Sequence, residues 1–337
     1  MLKKFLFFLL LLAAAALIGG YYVFIEPNIN SSKSISIKIH TGSTYEDVLH
    51  ILKEHDVLKS EFSFDLVSQF KHYPENVKSG YYVFTAAMNN RQIVNMLRLG
   101  WQTPVTLVIY NIRTKEEFAS LVGRTLELDS TQIISKLNDT SFCNPFHLDT
   151  ATILTRFIVD NYECYWNVSQ DKLFDKLNTA YNKFWNEERK AKAESLHLSS
   201  TEVTTLASIV EKEVIRDKEL PTVAGVYLNR LKINMPLQAD PTLVFALHDF
   251  DARRVTGYHK SFDSPYNTYK YAGLPPGPVC MPRKKSIDAV LNYEQHEYLY
   301  FCANPELNGY SLFSKTYDQQ MKVAAQYRRK LNKLNVH

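Results

Sequence analysis

The segment LASIVEKE, Leu206 to Glu213, is an apolar run that ends in three charged residues, two of them glutamates. A helix end left in water needs no further explanation for such a pattern. A glutamate held at the edge of a cleft is different, because partial removal from water keeps its proton on near neutral pH and fits it for general acid–base chemistry. On a helical wheel Val203, Leu206, Ala207, Val210 and Val214 fall within roughly 100° of arc. Lys212 lies opposite that stripe, and Glu211 and Glu213 flank it at roughly 80° on either side. Glu211, beside Ala207, Val210 and Val214, is therefore a border residue, neither core nor fully solvated, and Lys212 points away from it.

Two loop-like stretches downstream carry the side chains that sugar sites use: MPLQADPT (235–242) and SPYNTYKYAGLPPGP (264–278). Tyrosine faces stack on pyranose rings, and Asn or Gln amides match pairs of hydroxyls. The same composition also makes a well-packed surface loop. Asp240 is the next carboxylate that could stand opposite Glu211, although an Asp before Pro-Thr also caps turns and helices.

The elements that must position these groups follow from patterning. Ser200 or Thr201 caps the helix that carries VEKE, and VAGVYLNRL (223–231) reads as a second amphipathic helix. From about Asp171 the texture is helical, with a charged amphipathic stretch over Leu173 to Ala191. Nearer the N-terminus, Ile35, Ile37 and Ile39 alternate, Gly42 turns the chain, and Thr44 with Asp47 forms a capping box. Val105, Leu107 and Ile109 with Thr114 and Glu117 repeat the pattern, so a strand–turn–helix unit is used twice. Between them SGYYVFTAAMNNRQIVNMLRLG predicts a strand, a turn and a helix closing at Gly100.

Phe5 to Ile25 contains no charge. At 1.5 Å per residue it gives roughly 31 Å of helix, about one bilayer core. Lys3 and Lys4 place the N-terminus in the cytoplasm, and Tyr21 and Tyr22 stand where an interfacial belt falls. The run is longer than a cleaved signal segment needs, which favours a retained anchor with the remainder exported. The 337 residues are 45% hydrophobic with a formal charge of +4 and no long basic block, which points away from nucleic acid. Cys143, Cys164, Cys280 and Cys302 show no metal-ligand spacing, and pairing or free thiols both stay open.

LASIVEKE, VAGVYLNRL, MPLQADPT, SPYNTY (264–269), GLPPGP (273–278) and YLYFCA (298–303) occur here in an order that resembles one family along essentially the whole chain: the endolytic murein transglycosylases, or YceG-like family. The resemblance implies an α+β protein in three parts. These are a cytoplasmic tip and transmembrane anchor (1–27), LysM-like and linking strand/helix modules (33–165), and a larger mixed α+β catalytic domain (166–337). It implies a single-pass protein of the inner (cytoplasmic) membrane with its C-terminal domains in the periplasm. That protein would cut nascent peptidoglycan strands internally to leave 1,6-anhydro ends, near peptidoglycan synthases and without cofactor or metal. Residue by residue, the family's catalytic glutamate maps to Glu211, and substrate-side positions map to Gln238, Asp240, Thr242, Tyr266, Asn267, Thr268 and Tyr269. Glu219 matches an acidic position. Glu213 reads as a structural, surface or network carboxylate that supports the site, and Asn229 and Arg230 are expected to brace the site or to pair with Glu213 or Glu219.

The chain departs from the family at VDNY (159–162), which keeps Asp160 and Tyr162 but lacks a proline, and at YNIRT (110–114). In GYSLFS, Ser311 stands where the family usually has His. Two alternatives stay open: a membrane-anchored peptidoglycan-binding protein without catalysis, and a two-carboxylate hydrolase using Glu211 with Asp240.

Overall fold

The computed structural model describes residues 2–252 and 254–333 and shows a mixed α/β protein behind an N-terminal apolar helix. Helix α1 (Leu2–Phe24) buries none of its side chains and has a mean hydropathy of 2.3 over its most apolar window. Its length and composition suit membrane anchoring.

The folded chain forms two units. The first comprises residues up to Leu107 with Val122–Asp129 and Tyr162–Ser169. It contains β1 (Ile35–Ile39), α2 (Tyr45–Glu54), α3 (Glu61–Phe70), β2 (Gly80–Phe84) and α4 (Asn90–Leu99). Strands β1 and β2 are antiparallel, with Ile37 opposite Tyr82 and Ile39 opposite Gly80. The alternating isoleucines turn one face inward onto Val48, Phe64 and Val67. Thr44 and Asp47 make the expected reciprocal cap on α2, and Gly100 closes α4 in a left-handed conformation. A buried polar knot fastens the exit of α1. Asn90 donates to the Val23 carbonyl at 2.8 Å and to Ser63 Oγ at 2.9 Å, and Asn28 donates to Asn90 Oδ1 at 2.6 Å. Phe24 meets Phe70 edge-on, with ring centroids 5.9 Å apart.

Strand β3 (Val105–Val108) leads to α5 (Lys115–Thr125), the second strand–turn–helix segment. Here the cap differs from its counterpart. Thr114 accepts from Glu117 N at 3.2 Å, but the Glu117 carboxylate reaches back to Arg113 N at 2.6 Å rather than to the cap residue itself. The two segments also pair with different strands, β1 with β2 and β3 with β4 (Asn161–Cys164).

The second unit comprises Val108–Leu121, Ser130–Asn161 and the chain from Gln170 onward. Its division from the first does not fall at one point near residue 165. Phe118 stacks on Phe157 at 5.1 Å, and Phe157 stacks on Phe174 at 5.7 Å. Aromatic burial thus draws the linking segment into the later unit. Helices α6 (Ser130–Leu137) and α7 (Thr140–Cys143) precede β4, and α8 (Gln170–Phe184) follows it. The charged stretch expected over 173–191 breaks after Phe184. There Trp185 is buried and Asn186 caps α9 (Glu187–Ser195) by accepting from Arg189 N.

At the centre lies α10 (Ser200–Glu213), surrounded by α11 (Leu220–Lys232), α12 (Asp240–Ala246) and, after the short α13 (Gly257–Ser261), α14 (Lys284–Leu291). The cap of α10 is Ser199, ahead of both expected candidates Ser200 and Thr201, in a capping box with Glu202. Val203, Leu206, Ala207 and Val210 are fully buried against Val223 and Tyr227 of α11 and Ile287 and Val290 of α14. A hairpin of β5 (Tyr300–Ala303) and β6 (Ser311–Ser314) and the terminal α15 (Tyr317–Lys333) complete the unit. All four cysteines are free thiols.

Candidate active site

The two glutamates of VEKE leave α10 on opposite flanks of its apolar stripe, and what packs on each flank separates them. On one side stands α14. Glu211 Oε2 accepts from the Arg283 backbone N–H and the Ser286 hydroxyl, both at 2.7 Å, and Oε1 accepts from Arg283 Nε at 2.8 Å. The Glu211 side chain is 12% exposed, and neither cavity described below includes it in its walls. With both oxygens taken up by charge-assisted and hydroxyl donors, the Glu211 side chain braces α10 against the start of α14. The expectation that Glu211 faces an open groove is therefore not met.

Glu213 takes that place. As the last residue of α10 it projects toward α11 and α12 and lines two cavities, of about 570 Å³ and about 400 Å³. Both volumes lie in the range of small-molecule sites. The first is walled by Asp240, Pro241, Phe245 and Phe250, with Arg113 and Lys212. The second is walled by Phe301, Asn304, Tyr310 and Ser311. Tyr327 of α15 borders both.

Burial pushes the Glu213 carboxyl from an ordinary 4.5 up to about 7, and the negative charge of Asp240 adds to the rise. The Tyr227 hydroxyl, the Arg230 charge and the Asp240 backbone N–H pull the other way without cancelling it. The carbonyl end of α10 also disfavours a negative charge there. At neutral pH such a group is divided between acid and carboxylate, the condition for giving and then retaking a proton.

The supporting residues are held by backbone contacts. Arg230 is buried, and it donates to the Leu299 carbonyl at 2.7 Å and to the Leu237 carbonyl. Asn229 donates to the carbonyls of His296 at 2.7 Å and Tyr298 at 3.1 Å, so it braces a loop and pairs with neither Glu213 nor Glu219. Gly225, within VAGVYLNRL, permits that loop to approach, since a Cβ there would come within 2.5 Å of the Glu294 carbonyl. Glu219 is buried and accepts from Ser311 N at 2.7 Å, which ties the start of β6 to the turn before α11.

The expected substrate-side residues divide into wall and scaffold. Asp240 lines the larger cavity, and Tyr269 donates to its Oδ1 at 2.6 Å. Burial and the neighbouring Asp240 hold the Tyr269 hydroxyl in its protonated form. Tyr266 packs against the wall residue Phe245 with the rings tilted and their centroids 4.9 Å apart. Gln238 is exposed and adopts a φ of 51°, and its N–H is held by the Thr268 carbonyl at 2.9 Å. Thr242, Asn267 and Thr268 are buried within the loop. Thr268 Oγ1 meets Thr242 Oγ1 at 2.9 Å and accepts from Ala239 N at 3.0 Å. Asn267 donates to Phe262 O at 2.6 Å and accepts from Tyr269 N at 3.0 Å. These three support the wall from behind through hydrogen bonds within the loop. Arg113, Phe245, Phe250 and Tyr327 are wall residues that motif reading missed. Arg113 and Tyr327 lie far along the chain from the Phe245–Phe250 segment, and no local spacing joins the three.

Comparison with known proteins gives consistent results. A family model described as the YceG-like family matches residues 37–326. An endolytic murein transglycosylase of Bacillus subtilis is 30% identical over 92% of this chain and 90% of its own length. One of Streptococcus pneumoniae is 27% identical over 93% of this chain and 63% of its own length. A crystal structure of a yceG-like protein from Listeria monocytogenes superposes with a TM-score of 0.58 at 27% identity, covering 87% of this chain and 99% of that one.

Proposed function

The chain belongs to the YceG-like family, and on that premise we propose that it is an endolytic murein transglycosylase in which Glu213 is the single acid and base. The observation that carries this reading is a carboxyl with its pKa raised to about 7, standing where two cavities adjoin. A strand laid along both cavities would present an internal bond to Glu213, as endolytic cleavage requires.

Glu213 first gives its proton to the leaving glycosidic oxygen as positive charge develops at C1 of the muramic acid ring. The resulting carboxylate then takes the proton of that ring's own C6 hydroxyl while the oxygen closes onto C1. The product carries a 1,6-anhydro end and no water is consumed. Because the nucleophile belongs to the substrate, attack is intramolecular and much of the entropic barrier is absent. The second carboxylate of ordinary glycosidases has no task left in such a scheme. Asp240, held by Tyr269, raises the Glu213 pKa, and Tyr227 orients the carboxyl.

Helix α1 supports anchoring of the enzyme beside the membrane with its folded units outside the cytoplasm, where nascent strands and their synthases lie. The strand–helix–helix–strand order of β1, α2, α3 and β2 supports the LysM-like reading of the first unit and a role in holding glycan.

Mass spectrometry of strands digested by the intact chain and by Glu213→Gln tests the proposal. Anhydro-muramyl ends that vanish in the variant are expected. Reducing ends would indicate a hydrolase that pairs Glu213 with Asp240, and uncut strands would indicate a receptor.

A further inference from the structure

The two cavities beside Glu213 differ in charge. The larger is walled by three cations, Arg113, Lys212 and Arg254. Among the described residues none of them pairs with a carboxylate. Arg113 lies over the Phe250 ring at 4.7 Å and reaches the Phe250 carbonyl at 3.5 Å. Lys212 donates to the neutral Asn111 side chain at 2.8 Å, and Arg254 is exposed. The acids in the same wall are Glu213, divided between neutral and charged near pH 7, and Asp240, already bonded to Tyr269. The smaller cavity has no charged side chain other than Glu213. Three unpaired cations around one concavity repel one another, and an anionic group placed among them removes that repulsion and gains charge-assisted hydrogen bonds.

Murein has a matching asymmetry. Its two alternating amino sugars are neutral rings, and one of them carries a lactyl ether with an acidic peptide stem. Resting on the transglycosylase reading above, we infer that the larger cavity is a carboxylate-binding subsite. Arg113, Lys212 and Arg254 hold the acidic substituent of the muramic acid and thereby set the register of the strand. Register matters to the chemistry. Both sugars have a C6 hydroxyl, and gripping the substituent of only one fixes which C1 faces Glu213. The carboxylate can come from the peptide stem or, on a stripped strand, from the lactyl group itself.

The test uses the full-length chain in detergent with three substrates. These are stem-bearing strands, the same strands with their carboxylates converted to amides, and strands stripped of stems by an amidase, which keep only the lactyl carboxylate. The rate of anhydro-end formation at low substrate is read for each. Amidation is expected to slow the unaltered enzyme about tenfold, and Arg113→Gln or Arg254→Gln to slow it about as much on native strands, the loss of one charge-assisted contact. The two losses do not multiply when combined, and Arg113→Lys retains most of the preference. Stripped strands cut as fast as native ones place the bound carboxylate on the lactyl group; stripped strands cut as slowly as amidated ones place it on the stem. Equal rates on native and amidated strands, or fully multiplicative losses, overturn the subsite while leaving the transglycosylase standing. Absence of anhydro ends from every strand overturns the parent reading instead.

Discussion

Replacing Glu213 by Gln separates a part-buried, proton-holding acid from an ordinary surface glutamate, because the two assignments predict different dependences of stability on pH. The folded protein keeps on Glu213 a proton that the unfolded chain releases between pH 4.5 and about 7. An acid whose pKa rises on folding contributes stability that is fully present below its unfolded pKa and is lost as pH climbs through its folded one. Glutamine, similar in shape and never charged, suffers no such loss. Linkage over that interval makes the native glutamate cost about 1 kcal/mol at about pH 5 and about 3 kcal/mol at about pH 8. Glu213→Gln is therefore expected to unfold at a higher temperature than the parent, by an increment that widens from acid to alkaline pH. At roughly 2 to 4 °C per kcal/mol the gap reaches several degrees near pH 8. Calorimetry across that range measures the increment, and digestion of glycan strands by the same preparations measures activity. Loss of general acid–base catalysis costs about 10²- to 10⁴-fold, toward the upper end for a group that serves both proton transfers. A variant that is dead yet more stable at alkaline pH fits the scheme. A stability difference independent of pH would refute it, because Glu213 would then be ionised in folded and unfolded chains alike. So would near-normal turnover.

Glu211→Gln is expected to do the reverse. Weakening the bonds to Arg283 and Ser286 lowers stability by about 2 kcal/mol, while anhydro ends continue to form at a temperature where the variant stays folded; their loss would return Glu211 to the chemistry. Asp240→Asn removes a charge that holds the Glu213 pKa up, so the alkaline limb of the pH–rate profile moves to lower pH, and an unmoved limb would contradict the coupling. Thr268→Val leaves the buried Ala239 N–H without its acceptor and costs about 1–3 kcal/mol in chemical denaturation, whereas an unchanged midpoint would deny the loop its scaffold. Because all four cysteines are free thiols, added reductant leaves the melting temperature where it was, and a drop on reduction would show a cross-link.

Much of this architecture could be read from residue order. The apolar N-terminal helix, the Thr44–Asp47 cap and the buried stripe of α10 each follow from local periodicity, and local periodicity survives folding. The choice between Glu211 and Glu213 could not be read that way. The two residues lie symmetrically about the stripe, so α10 alone gives them equal standing. Only the arrival of Arg283 and Ser286 on one flank, and of Asp240 and Tyr227 on the other, breaks the tie. These partners lie far along the chain or on another helix. The same holds for Thr242, Asn267 and Thr268. Their polar side chains suggest sugar contacts when read in line, yet they spend their hydrogen bonds on one another and on the loop backbone. The composition of the two units depends on contacts of the same kind. Phe118, Phe157 and Phe174 gather from three separate segments, and no boundary drawn along the chain anticipates such a cluster.

The knot of Asn28, Asn90 and Ser63 at the foot of α1 has a mechanical implication. Phe24 ends the helix, and Ile29 is already fully buried in the first unit, so the tether has almost no slack. Five residues could stretch about 17 Å if free, but the asparagines pin them. A domain on so short a leash cannot sweep a wide volume. Under the proposed anchoring it would meet only glycan passing close to its own patch of membrane, its reach set by where the anchor drifts and not by how far a linker can swing.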